Sequence, residues 1–180
     1  MQELFRFLEE DGVSRTLLDG ADAFRSRFPA EEGCAARVPE PEYFYYGRET
    51  WELALAAILA GKNLLLAGPK ATGKNVLAEN LAALFGRPMW TVSFHINTDA
   101  ASLVGTDTYD GHAVVFRPGP IWLCAAMGGF GVLDEINMAK NEALAVLHAA
   151  LDFRRCLDVA GYERIDLRPE TRFIATMNYG

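Results

Sequence analysis

Asn63-Leu64-Leu65-Leu66-Ala67, then Gly68-Pro69-Lys70-Ala71-Thr72-Gly73-Lys74-Asn75-Val76, then Leu77, Leu81, Leu84 and Phe85 at helical spacing: this stretch decides how the chain folds. The short apolar run reads as a buried strand, and the leucines read as one face of a helix that Gly86 and Pro88 end. Between them lies G-x-x-x-x-G-K, a glycine loop in the strand-to-helix setting that gives such a motif meaning. Gly68 and Gly73 let the backbone turn so that successive N–H groups converge on phosphate oxygens at the positive end of the helix. Gly68, Pro69, Lys70, Ala71, Thr72, Gly73, Lys74, Asn75 and Val76 are the candidate phosphate contacts, with Lys74 a point charge for the β- and γ-phosphates.

Asn75 stands where this loop calls for Ser or Thr, whose hydroxyl ordinarily ligates magnesium. An amide oxygen is a hard neutral ligand, but its longer side chain must fold back to reach the ion. Two readings stand: ligation by Asn75, or an altered metal site.

Downstream, Met89 to His95 fits a second strand, and Asp110-Gly111 between Thr108-Tyr109 and Val114-Val115-Phe116 reads as a hairpin. Pro120 opens a helix to about Met127, which Gly128-Gly129 terminates. Phe130 to Leu133 is then a buried strand, followed by a helix aligning Leu144, Leu147 and Leu151, a second hairpin around Ala160-Gly161, and a last strand from Arg172 to Met177. Upstream, Leu4, Phe5 and Leu8 mark one short helix, and Leu17, Ala21, Phe24 and Phe28 a second one after a cap at Ser14. Pro29 to Pro41 is aperiodic and reads as a linker, and a helix from about Glu49 to Ala60 stops at Gly61. Residues 1–42 are thus expected to be a helical extension and linker, and 43–180 a nucleotide-binding core. Strands alternating with helices imply an α/β fold with a parallel sheet.

Two further places carry chemistry. The strand in Gly129-Phe130-Gly131-Val132-Leu133 runs into Asp134-Glu135. Asp134 is the candidate to hold magnesium, and Glu135 to orient and deprotonate an attacking water. Asn178 ends the last strand, and in an open parallel sheet ligands lie beyond the carboxyl ends of the strands. Its amide is placed to position that water or sense the γ-phosphate. The catalytic candidates are therefore Glu135, Lys74 and Asn178, and the metal candidates Asn75 and Asp134. His148 and Asp152, four apart, read as helix surface, and Tyr43-Phe44-Tyr45-Tyr46-Gly47 reads equally as an adenine contact or as core.

Composition narrows the field. The 180 residues are 51% hydrophobic and 23% charged, which places the chain among globular domains. Seventeen Lys and Arg against 24 Asp and Glu leave a net charge of −7, so no net field draws the chain to phosphate backbones and generic nucleic-acid binding is not expected. Cys34, Cys124 and Cys156 are widely spaced without C-x-x-C, and suit packing in a reducing cytoplasm. No apolar run approaches the ~18 residues of a membrane span, and acids stand where a leader peptide would be basic.

The order GPKATGKN, FGVLDEIN, FIATMN resembles the AAA+ ATPases, and FRPGPIW before the second motif looks like their MoxR branch. The resemblance covers Tyr43 to Gly180. It implies a P-loop NTPase three-layer sandwich binding ATP and Mg2+, working as a homo-oligomeric ring, usually a hexamer, that remodels or activates a partner protein, often one with a von Willebrand A domain. By the same resemblance Asp134 and Glu135 are the acidic motif, Asn178 is the first sensor, and the hairpin from about Thr106 to Phe116 is similar to an insertion facing the ring pore or partner. AAA+ subunits carry a fifth core strand, an arginine finger and a helical lid after the first sensor. The chain ends at Gly180, so a fragment lacking these parts is expected, with a leucine-rich edge strand and very slow hydrolysis. Arg154 and Arg155 lie too early for the finger's role. The competing functions are a nucleotide-binding scaffold without turnover and a GTP-using or nucleic-acid-linked motor.

Overall fold

The computed structural model describes residues 2–158 and 164–179. The chain runs α1 (Gln2–Glu10), α2 (Arg15–Arg27), α3 (Arg48–Leu59), β1 (Leu64–Gly68), α4 (Lys74–Leu84), β2 (Met89–Ser93) and α5 (Ala100–Val104). It continues through β3 (Gly105–Tyr109), β4 (Val114–Pro118), α6 (Pro120–Met127), β5 (Phe130–Asp134), α7 (Asn141–Ala145), α8 (His148–Leu151), β6 (Cys156–Leu157), β7 (Ile165–Asp166) and β8 (Arg172–Asn178). Four strands form one sheet in the order β1-β8-β5-β2, every pair parallel. Parallel neighbours need crossovers, and helices here supply them, so both faces are covered and the central strand β5 is apolar until Asp134.

Alternation along the strands divides the core. Phe130, Val132 and Ile174 point to the layer of α1 to α4, packing with Leu4, Leu8, Leu18, Trp51, Leu55, Leu77 and Leu81. Leu133 and Phe173 point the other way, to Ile121, Cys124, Ala143 and Leu147. The same alternation continues to the strand ends, so Asp134 follows Val132, and Thr176 and Asn178 follow Ile174, onto the face that carries α4. Register completes the placement: Gly68 lies beside Asn178, and Ser93 beside Asp134.

Several expectations change in detail. The helix aligning Leu144, Leu147 and Leu151 is two short helices, because Leu147 N–H bonds Leu144 O and the ladder tightens to three-residue spacing there. Asp99 caps an unanticipated helix, α5, by accepting from Ser102 N–H at 2.7 Å. Ser14 precedes α2 but caps nothing with its side chain, and its N–H donates instead to Glu52 at 2.9 Å. The 29–41 stretch is mostly exposed and touches the rest of the chain at a few points: Cys34 is buried, Arg37 lies over the Trp90 ring at 5.0 Å, and Glu31 meets Arg168. The first hairpin stands where expected, with Asp110 accepting from His112 and Ala113 N–H at its turn. The second is the pair β6 and β7, while its turn at Ala160-Gly161 lies outside the described residues.

Among the described residues β1 pairs only with β8, and Leu65 on that edge is 59% exposed, beside Leu53 at 74%. An unpaired apolar strand edge templates association. We therefore expect the wild-type chain to self-associate at high concentration in sedimentation, and Leu65→Lys to return it toward monomer. A clean wild-type monomer under those conditions would count against this.

Candidate functional site

The loop between β1 and α4 is shaped by two left-handed residues, Ala71 (φ +60°) and Gly73 (φ +80°). Gly73 is the N-cap of α4, and a Cβ there would stand 3.1 Å from the Tyr45 ring. Beyond the glycine, the first N–H groups of an 11-residue helix have no intrahelical partner. Thr72 Oγ1 donates to Pro69 O at 3.0 Å and closes the loop on itself. Lys74 folds back over it, donating from Nζ to Gly68 O (3.0 Å), Pro69 O (2.6 Å) and Thr72 Oγ1 (3.4 Å). All three partners are neutral oxygens, so they satisfy the ammonium's hydrogen bonds and leave its charge available to an anion.

Across the cleft, Asp134 and Glu135 leave β5 in different directions because Glu135 takes a left-handed conformation, φ +53° and ψ +45°. Such a backbone costs a non-glycine residue about 1 kcal/mol or more and persists only where the surroundings fix it. Here Thr176 does so. Its Oγ1 accepts from Glu135 N–H at 3.1 Å and donates to Asp134 Oδ1 at 2.5 Å, so one buried hydroxyl sets both acids. Asn178 Nδ2 donates to Glu135 Oε1 at 2.8 Å and turns that carboxylate toward the loop.

These groups enclose one cleft of about 520 Å³ lined by Lys70, Ala71, Thr72, Gly73, Lys74, Asn75, Val76, Asp134, Glu135 and Asn178. Every candidate named from the sequence lines it except Gly68 and Pro69, which lie behind the loop and offer their carbonyls to Lys74. The two candidate metal ligands, Asn75 and Asp134, both line the cleft and offer oxygens, the donor type of a hard cation such as magnesium. Among the described residues no three His, Cys, Asp or Glu gather as a metal cluster, so an ion here would draw further ligands from water or phosphate.

Sequence reading passed over Thr176, Asn80 and the part Tyr45 plays. Thr176 had a signal: it is the one polar residue within the apolar run from Phe173 to Met177, two positions before Asn178 and hence on its face. Asn80 is fully buried on α4 and bonds the backbone of Tyr43 and Tyr45. The aromatic cluster divides, with Tyr43 and Tyr46 exposed and Tyr45 on the loop. His148 and Asp152 form no ligand pair, since Asp152 binds Arg154 through both oxygens. Arg155 donates to Arg168 O and Thr171 O. The three cysteines are buried and form no disulfide, and burial raises the Cys124 thiol far above its ordinary range. Among the described residues, no helix is long and apolar enough to cross a membrane.

Residues 63–180 match the family described as AAA domain (dynein-related subfamily). Similar curated proteins include the uncharacterized protein YojN of Bacillus subtilis (strain 168), 42% identical over 108 residues that make up 58% of this chain and 36% of YojN. Another is the uncharacterized protein SH1500 of Staphylococcus haemolyticus (strain JCSC1435), 36% identical over 145 residues, 77% of this chain and 55% of SH1500. The chain thus spans about half or less of the length of these relatives. Among solved structures, a proposed ATPase from Cytophaga hutchinsonii ATCC 33406 superposes with a TM-score of 0.56 over 98% of this chain and 46% of its own, at 15% identity. That likeness bears on the fold alone, and it includes the N-terminal helices. With the family match running from Asn63 through the loop, the acids and Asn178, the chain belongs to the AAA domain family, dynein-related subfamily.

Proposed function

We propose that this chain binds ATP with Mg2+ and hydrolyses it, as part of a MoxR-like AAA+ subunit that couples turnover in a ring to remodelling or activating a partner protein. The observation that carries the reading is the convergence of Lys74, Asn75, Asp134, Glu135 and Asn178 on one cleft at the rim of one sheet. Main-chain N–H groups of residues 70–76 and the Lys74 ammonium would hold the phosphates, Lys74 exchanging loop carbonyls for anionic oxygens. Asn75 and Asp134 would hold magnesium, which when bound neutralises charge on the β- and γ-phosphates. Asp134 has one oxygen committed to Thr176 and one left for such an ion or its waters. Glu135, not a metal ligand in this reading, takes the proton from the attacking water at its carboxylate. Asn178 holds Glu135 Oε1 and so orients the base. The ring, a hexamer in the MoxR-like reading, and a partner with a von Willebrand A domain rest on the resemblance of GPKATGKN, FGVLDEIN, FIATMN and FRPGPIW, as does the hairpin β3–β4 as the face toward pore or partner.

Calorimetric titration with ATP and magnesium tests the binding half. The wild-type chain is expected to bind ATP, and Lys74→Ala to lose at least about tenfold in affinity, the scale of one charge-assisted contact of ~1.5–3 kcal/mol. Equal affinity in the two chains would refute the role of Lys74.

Thr176→Val tests how the acids are held. It keeps shape but removes the hydroxyl between Asp134 and the Glu135 N–H, leaving that N–H unpaired at a cost of about 1–3 kcal/mol. Single-turnover hydrolysis is expected to slow roughly tenfold or more while ATP affinity changes less than threefold. An unchanged rate would show that Glu135 does not depend on Thr176.

A further inference from the structure

One buried polar side chain has no part in the chemistry above. Asn80 is 0% exposed, on the inner face of α4 among leucines and alanines, where its amide would cost a few kcal/mol unless fully bonded. It is bonded across the fold. Oδ1 accepts from Tyr45 N–H at 2.8 Å and Nδ2 donates to Tyr43 O at 2.9 Å. The amide therefore reads the 43–45 backbone as a neighbouring strand would, with one acceptor and one donor. Trp51 Nε1 adds a third bond, to Tyr45 O at 2.9 Å.

The consequence lies at the loop. With its backbone fixed on both sides, Tyr45 lays its ring against Gly73, where a Cβ would stand 3.1 and 3.3 Å from ring carbons. Gly73 is the left-handed residue on which the loop turns into α4, and Asn80 sits seven residues after it on the same helix. The Tyr45 ring also walls an apolar groove of about 520 Å³, with Leu53, Ala54, Leu64 and Leu66, that shares Thr72 and Lys74 with the phosphate cleft.

We propose that Asn80 is a positioning residue of the nucleotide site: it clamps the 43–45 segment to α4 and so seats the Tyr45 ring where the non-phosphate part of the nucleotide packs beside the loop. The inference rests on the ATP reading above. The phosphates answer to the loop itself, so losing the clamp weakens recognition of the nucleoside and spares that of the phosphate chain.

The test compares ATP with inorganic tripolyphosphate, each with magnesium, by calorimetry on the 180-residue chain, its Asn80→Leu variant and its Tyr45→Ala variant. Asn80→Leu is expected to weaken ATP roughly 5- to 10-fold, the scale of one to two lost hydrogen bonds, with tripolyphosphate within twofold. Tyr45→Ala should reproduce that split, and the double variant should add little, as for residues acting through one contact. Unchanged ATP affinity in Asn80→Leu, or an equal loss for both ligands, overturns the proposal. If Asn80→Leu does not fold, Tyr45→Ala decides: a split supports the clamp's target, and wild-type ATP affinity overturns it. Failure of the wild-type chain to bind either ligand overturns the ATP reading itself, and this inference with it.

Discussion

Glu135→Gln is expected to leave ATP bound and to slow its hydrolysis by about 10² to 10⁴, the worth of a positioned general base. The substitution is nearly isosteric. A glutamine Oε1 can still accept from Asn178 Nδ2, as Glu135 Oε1 does at 2.8 Å, so the left-handed turn and the Thr176 bond to its N–H need not change. What is lost is a carboxylate able to take a proton. Single-turnover phosphate release, with the chain in excess over labelled ATP, separates this loss from any effect on binding. A rate within about threefold of wild type would remove Glu135 from the reaction and favour a nucleotide-binding scaffold.

Gly128→Ala is expected to cost about 3–5 kcal/mol of stability, or to prevent folding. Gly128 ends α6 in the left-handed region, φ +66°, where an L residue loses about 1 kcal/mol or more. Its added Cβ would also stand 2.2 Å from Glu170 Oε1. Glu170 is the partner, at 3.8 Å, of Arg87, a guanidinium 1% exposed that also donates to Gly128 O, Met127 O and Phe28 O. Burial lowers the Arg87 pKa and Glu170 partly restores it, so pushing the carboxylate away leaves a buried cation short of compensation, a loss of several kcal/mol. Gly33→Ala is the control, with no atom within 4 Å of the added carbon and an expected change within about 0.5 kcal/mol. Urea unfolding of both reads the difference, and a loss under about 1 kcal/mol for Gly128→Ala would disprove the crowding.

The site was legible in the sequence where its logic is local. A glycine loop needs only its own residues and the two elements flanking it, so Gly73, Lys74 and the start of α4 could be placed without the rest of the chain. Asp134 and Asn178 could be placed because each ends an apolar strand, and a parallel sheet puts such ends on one rim. The bonds that Thr176 and Asn80 make could not, because each reaches a partner 35 to 42 residues away through a pairing that no spacing encodes. The 29–41 stretch shows the same limit, since its contacts with Trp90 and Arg168 are to residues from later in the chain. The break between α7 and α8 reverses a correct hydrophobic period: Leu147 is buried as its spacing implied, while the backbone bonds around it are not those of one helix.

The most direct measurement is a crystal structure of the chain with a non-hydrolysable ATP analogue and magnesium. The expected density places the phosphates on the N–H groups of residues 70–76, with Lys74 Nζ moved off Gly68 O and Pro69 O, the metal between Asn75 and Asp134, and Glu135 free of it. Phosphates bound elsewhere, or Lys74 still folded onto its own loop beside an occupied cleft, would contradict that arrangement.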